Sequence, residues 1–179
     1  MYKGDNMFSG GGGTRENPFL VSTKEDFFEI NNLEIFTDEN KYYYEQTTDI
    51  DLEGESIGTL RYFRSVYDGK NYKIINVVLD KDSDATFGRL LTGAEVRNVR
   101  IVNLTGSEGQ LAAIASYASE SVIENCHVEN GELLGGGYND AGIAGDIDKQ
   151  TTVLNCSYQG YFEGAAMGGI VYLNEGTVE

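Results

Sequence analysis

The sequence predicts an all-β solenoid, a coil of stacked parallel strands, on three observations. An Asn-centred strip recurs at Ile74-Ile75-Asn76-Val77, Val96-Arg97-Asn98-Val99, Ile123-Glu124-Asn125-Cys126 and Val153-Leu154-Asn155-Cys156, with the Asn residues 22, 27 and 30 apart. A second strip follows each one, at Thr86-Phe87-Gly88, Ala113-Ile114-Ala115, Gly142-Ile143-Ala144 and Gly169-Ile170-Val171, its large apolar residue recurring at intervals of 27, 29 and 27. The composition fits: 23 of 179 residues are Gly but Pro18 is the one proline, which describes tight turns in an ordered fold and excludes collagen or a Pro-rich linker. A repeat of this length built from short β-type strips is one turn of a coil, and a single turn cannot bury its apolar face until the next stacks on it.

Taken in order, Phe8 to Val21 is a Gly-rich turn leading into a short extended piece. Ser22-Thr23-Lys24-Glu25-Asp26-Phe27-Phe28-Glu29-Ile30 carries a Ser/Thr cap, acids in the first turn and apolar residues at 27, 28 and 30, the marks of a short helix able to plug one end of the coil. Tyr42 to Leu52 reads as a strand from its aromatic and β-branched content. The division expected is a capping segment over 1–42 and coil over 43–179, the last turn incomplete.

Within the coil, parallel strands about 4.8 Å apart put equivalent residues into columns. Ile74, Val96, Ile123 and Val153 form one apolar column and Val77, Val99, Cys126 and Cys156 another, while Ile75, Arg97, Glu124 and Leu154 vary freely between them. That alternation marks a strand with one buried face. Arg97 and Glu124 are expected to pair across adjacent turns. Asn76, Asn98, Asn125 and Asn155 read as structural, because a stacked amide both donates and accepts and Asn tolerates the backbone of a sharp corner. Cys126 and Cys156, one turn apart and pointing the same way, fit disulfide geometry poorly and are expected as thiols.

Charge and length exclude several functions. With 13 Lys+Arg against 29 Asp+Glu the net charge is −16, which repels phosphate backbones and argues against a nucleic-acid partner. A hydrophobic content of 40%, including 12 Tyr and 8 Phe, argues for a folded chain. No run reaches the ~20 apolar residues of a membrane span, and no signal peptide precedes the first strip.

Several motifs in series then resemble a family. Gly-Gly-x-Gly-Thr-x-x-x-Pro-Phe at 10–19, Thr48-Asp49-Ile50-Asp51-Leu52, Ile57-Gly58, Tyr67-Asp68-Gly69-Lys70-Asn71-Tyr72-Lys73-Ile74-Ile75-Asn76-Val77 and Gly168-Gly169-Ile170-Val171 look like those of GLUG-repeat proteins, over residues 8–179. The resemblance implies a right-handed parallel β-helix, an all-β solenoid with an N-terminal capping segment containing a short α-helix. It further implies the settings where such modules occur, bacterial surface adhesins and phage virions, and no catalytic machinery. The chain departs from the pattern at Ala112-Ala113, at Ala141-Gly142 and at Tyr172, where Gly is usual.

The candidate chemistry is sparse. Asp80, Asp82 and Asp84 alternate as in a calcium loop, but the sixth and twelfth positions hold Ala85 and Leu91 where such a loop wants Gly and Glu. His127 is the one histidine, in an outward column read as Val78, Arg100, His127, Ser157, without an obvious base-and-orienter pair. No residue is therefore assigned a catalytic, cofactor-binding or metal-binding role. The expected function is a non-catalytic structural or attachment module of a virion or cell surface. The alternatives are a polysaccharide lyase or hydrolase and a calcium-dependent glycan-binding module. A start at Met1 without a leader fits a virion protein, assembled inside the producing cell. The expected partners are other subunits or further turns of a longer chain at the C-terminal end, and a surface glycan; membrane insertion is not expected.

Overall fold

The computed structural model describes residues 8–35, 40–58, 62–80, 82–107, 109–135, 140–164 and 166–179. The chain enters through β1 (Phe19–Val21) and α1 (Lys24–Ile35). Its first turn is β2 (Tyr43–Gln46), β3 (Ile50–Asp51) and β4 (Tyr62–Phe63), and its second is β5 (Val66–Asp68), β6 (Lys73–Ile75), β7 (Val78–Leu79) and β8 (Arg89–Leu90). The third turn is β9 (Glu95–Arg97), β10 (Arg100–Gly106) and β11 (Ala115–Ala118). The fourth is β12 (Val122–Glu124), β13 (His127–Leu133), β14 (Asp140–Ala141) and β15 (Ala144–Ile147). The fifth is β16 (Thr152–Leu154), β17 (Ser157–Phe162), β18 (Met167–Gly168) and β19 (Val171–Asn174), and β20 (Thr177–Val178) begins to stack beneath it.

Every strand pairs in parallel with its equivalent one turn away, which makes the molecule a parallel β-helix, as the two strips imply. Three faces result. The first runs β1-β2-β5-β9-β12-β16-β20, the second β3-β6-β10-β13-β17 with β7 beside β10, and the third β4-β8-β11-β15-β19. The strip centred on Phe87, Ile114, Ile143 and Ile170 stacks as aligned, with Phe87 N–H donating to the Ile114 carbonyl and Ile114 N–H to that of Ile143.

The register corrects one alignment. Ile74 stacks on Ile101 of the second face, not on Val96; the first-face column is Tyr44, Tyr67, Val96, Ile123 and Val153. The anomalous interval of 22 between Asn76 and Asn98 arose from crossing between two corners. Asn98, Asn125 and Asn155 share one corner, each Nδ2 donating to the residue above: Asn155 to Asn125 at 2.7 Å, Asn125 to Asn98 at 3.1 Å and Asn98 to Asp68 at 2.9 Å. Asn130, Asn103 and Asn76 form a second ladder ending on Asp51, with distances of 3.4, 3.1 and 2.8 Å. All six asparagines have φ between 48° and 58°, the left-handed region in which a short polar side chain is best tolerated. Val77 likewise leaves its expected column, since Val78 pairs with Thr105.

The interior is aromatic at the N-terminal end and aliphatic beyond it. Tyr44, Phe63, Tyr67 and Phe87 are fully buried, and Phe27 of α1 meets Tyr67 and Phe87 edge-on. The helix runs past the expected Ile30 because its apolar spacing continues through Phe27, Ile30 and Leu33, all buried. Thr23 and Asp26 form a reciprocal capping box, Asp26 N–H donating to Thr23 Oγ1 and Thr23 N–H to Asp26 Oδ2. Near the other helix end Glu34 accepts hydrogen bonds from Tyr44 Oη and Arg64 N–H, and burial raises the pKa of its carboxyl. The expected strand over 42–52 divides into β2 and β3 because buried Gln46 turns the chain, its Nε2 donating to the Thr48 and Lys73 carbonyls while Tyr67 Oη donates to its Oε1.

Two substitutions separate the roles of a ladder asparagine. Asn125→Gly keeps the backbone and loses the amide bonds, whereas Asn125→Ala loses the bonds and strains φ. Chemical denaturation should place the Ala variant about 1 kcal/mol or more below the Gly variant, with both below the parent. Ile123→Asp, which buries an unpaired charge, should prevent folding outright.

Candidate functional site

The acidic residues weighed as a calcium loop take part in structural hydrogen bonding. Asp80 Oδ1 accepts from Asp82 N–H and Ser83 Oγ, and Asp80 N–H donates back to Ser83 Oγ, closing an Asx turn. The Asp84 carbonyl accepts from Ala112 N–H of the next turn. Lys81 lies outside the described residues, and among those described no three metal-ligating side chains converge.

His127 does have a partner. Its Nδ1 lies 2.9 Å from Ser157 Oγ, one rung along the outer column of the second face, which reads Lys73, Arg100, His127, Ser157. Lys73 takes the place expected of Val78, another result of the shifted register. The alignment already placed Ser157 in the column of His127, so one rung of spacing was the signal for this contact. A hydroxyl at this distance from an imidazole is within reach of proton transfer, the first requirement of a nucleophile and base. Beside it Arg100 pairs with Glu129 at 2.6 Å.

On the first face the expected Arg97–Glu124 pair does not form. Arg97 instead meets Asp68 at 3.4 Å and Glu95 at 3.5 Å, and Lys70 bridges Glu45 and Asp68. Partial burial of Asp68 is outweighed by the hydrogen bonds from Asn98 and Lys70 N–H and by the two cations, so its pKa falls. Cys126 and Cys156 are free thiols, as expected, and burial pushes the Cys126 thiol up.

Three features were not visible in the sequence. Asp140 is only 1% exposed; its Oδ1 accepts from Leu111 N–H, and burial raises its pKa. Asp148 ties the corner after the third face: it accepts from Ser119 Oγ, Thr151 Oγ1 and the N–H groups of Glu120 and Gln150. Its slight burial works against ionisation, but these donors lower its pKa to about 2. The outer column of the third face reads Tyr62, Arg89, Tyr117, Asp146, Leu173. Tyr62, Tyr117 and Leu173 are 47%, 37% and 51% exposed, and the Arg64 guanidinium sits 5.9 Å from the Tyr62 ring centroid.

This architecture defines a parallel β-solenoid protein, and comparison with solved structures agrees. The chain is similar to a putative immunoglobulin A1 protease from Bacteroides ovatus, with a TM-score of 0.62 and 17% identity over 97% of this chain. It spans 65% of the length of that protein. At this identity the likeness shows the fold alone. No protein-family model and no curated protein matches the sequence. No described helix is long and apolar enough to cross a membrane.

The Asp148 corner carries a pH prediction. Its folded-state pKa lies below the ordinary 3.8, so its contribution to stability is present above that value and is lost as pH falls through about 2. Carboxyl carbon shifts should show Asp148 titrating near pH 2, and Asp148→Ala should destabilise the fold at pH 7 by about 1–3 kcal/mol while narrowing the gap to the parent at pH 2.

Proposed function

We propose that this chain is a non-catalytic structural or attachment module of the GLUG-repeat kind, acting in a phage particle or on a bacterial cell surface through protein or host-surface contacts, with residues 1–42 closing one end of the coil. The observation that carries this reading is the asymmetry of the two ends. At one end α1 buries Phe27, Ile30 and Leu33 in the core. At the other, Cys156, Tyr158, Phe162, Ile170 and Val171 continue the inner packing but are only partly buried, and Val178 is exposed. The outer strand edges of β17 and β19 also face away from the coil, offering backbone groups to another subunit or to further turns. The succession of GLUG-like motifs supports the same reading, as does a polar inventory given over largely to ladders and ion pairs along the axis.

A hydrolase is the second reading, favoured by the His127–Ser157 contact. The attachment reading expects fluorescently labelled chain to co-sediment with bacterial cell envelopes and to resist a fluorophosphonate probe. Failure to sediment, together with probe labelling abolished by both Ser157→Ala and His127→Ala, would replace it with the hydrolase.

A further inference from the structure

We propose that the outer column of the third face binds an uncharged, extended polysaccharide laid along the coil axis, its sugar rings resting on Tyr62 and Tyr117. This deepens the attachment reading and rests on it. The column alternates apolar and hydrogen-bonding groups rung by rung: Tyr62, Arg89, Tyr117, Asp146, Leu173. At strand spacing Tyr62 and Tyr117 stand two rungs, about 10 Å, apart, and the five rungs span about 19 Å. A linear glycan has the complementary pattern, with the apolar C–H faces of its rings separated by hydroxyl-bearing edges. Tyrosine faces take the C–H surfaces, while the exposed Arg89 guanidinium between them donates to hydroxyls of the chain. Arg64 lies over the Tyr62 ring and holds it in place through a cation–π contact.

Three features select this occupant. The other two faces carry charged networks, Arg97 with Asp68 and Glu95 on the first and Arg100 with Glu129 on the second, and among the described residues neither has a comparable row of rings. The stripe is one residue wide and interrupted by charge, which suits a chain one sugar across; a protein interface of standard size needs a continuous apolar centre of many side chains. With a net charge of −16 the molecule repels polyanions at long range, which disfavours an acidic glycan and suits the uncharged one proposed.

Affinity gel electrophoresis tests this on the full chain, with a neutral β-glucan, a xylan or a galactomannan cast in the gel and alginate as the charged control. The expected result is retardation by at least one neutral polysaccharide and none by alginate, with affinity falling roughly tenfold in Tyr62→Ser and in Tyr117→Ser. Tyr72→Ser, an exposed tyrosine away from this face, should leave it unchanged, and thermal melts should confirm that all three variants fold. Absence of retardation by every neutral polysaccharide overturns the inference, as does retardation indifferent to Tyr62 and Tyr117. Capture by cell envelopes without retardation by any polysaccharide overturns the glycan alone, whereas failure of both overturns the attachment reading with it.

Discussion

Parallel stacking at a single rung spacing is the constraint on which everything else in this molecule depends. Because each strand bonds to its equivalent in the next turn, a residue's environment is set by what sits one turn above and below it, more than by its neighbours in sequence. Buried columns must then be apolar through successive turns, and corners must repeat the same unusual backbone. Asparagine meets that second demand twice over, by tolerating positive φ and by bonding to its own kind at the rung distance. The same geometry turns a polar residue on the outside into part of a row, so charge pairing runs along the axis, as with Arg100 and Glu129, two residues apart across one rung.

Close packing inside so narrow a coil makes volume a shared quantity between turns. Tyr158 shows this clearly. A Cβ added to Gly131 would lie 2.4 Å from its hydroxyl oxygen, and one added to Gly142 would lie 2.2 Å from the Gly169 carbonyl oxygen and 2.8 Å from the Tyr158 Cβ, so two glycines of the fourth turn make room for the backbone and an aromatic ring of the fifth. Tyr158 in turn stacks on Phe162 with ring centroids 4.4 Å apart. Alanine in place of glycine at 131, a change that looks minor in a strand, would push directly against the Tyr158 ring.

The coil was legible in the sequence because its signals are periodic: the strip of Phe87, Ile114, Ile143 and Ile170 aligned correctly, and so did Val96, Ile123 and Val153. The second turn did not, because Asn76 and Asn98 carry the same local signature at different corners. Two asparagine corners five residues apart in each of the third and fourth turns, Asn98 with Asn103 and Asn125 with Asn130, were the available clue. Asp140 and Asp148 were invisible for another reason. Asp140 is held by Leu111 N–H a full turn distant, and Asp148 joins its local donors Gln150 and Thr151 to Ser119 and Glu120 of the preceding turn, while a lone Asp near glycines reads as an exposed turn. The third-face column was hidden as well, since its members sit 27 to 29 residues apart and share no chemical type.

Each asparagine ladder starts from a carboxylate, Asp68 in one and Asp51 in the other. A carboxylate accepts and cannot donate, so the first amide must present its NH2 to it, and every amide after it must face the same way. The side-chain dipoles of six asparagines are therefore aligned head to tail, giving the coil two polarised wires that run its length in one direction. The second wire stops at Asn130, where β17 drops a residue between Gln159 and Gly160, while the first continues to Asn155. The carbonyl oxygen of Asn155 points toward the open end, so at that corner the last full turn presents an acceptor, and whatever stacks on it there must arrive donor first.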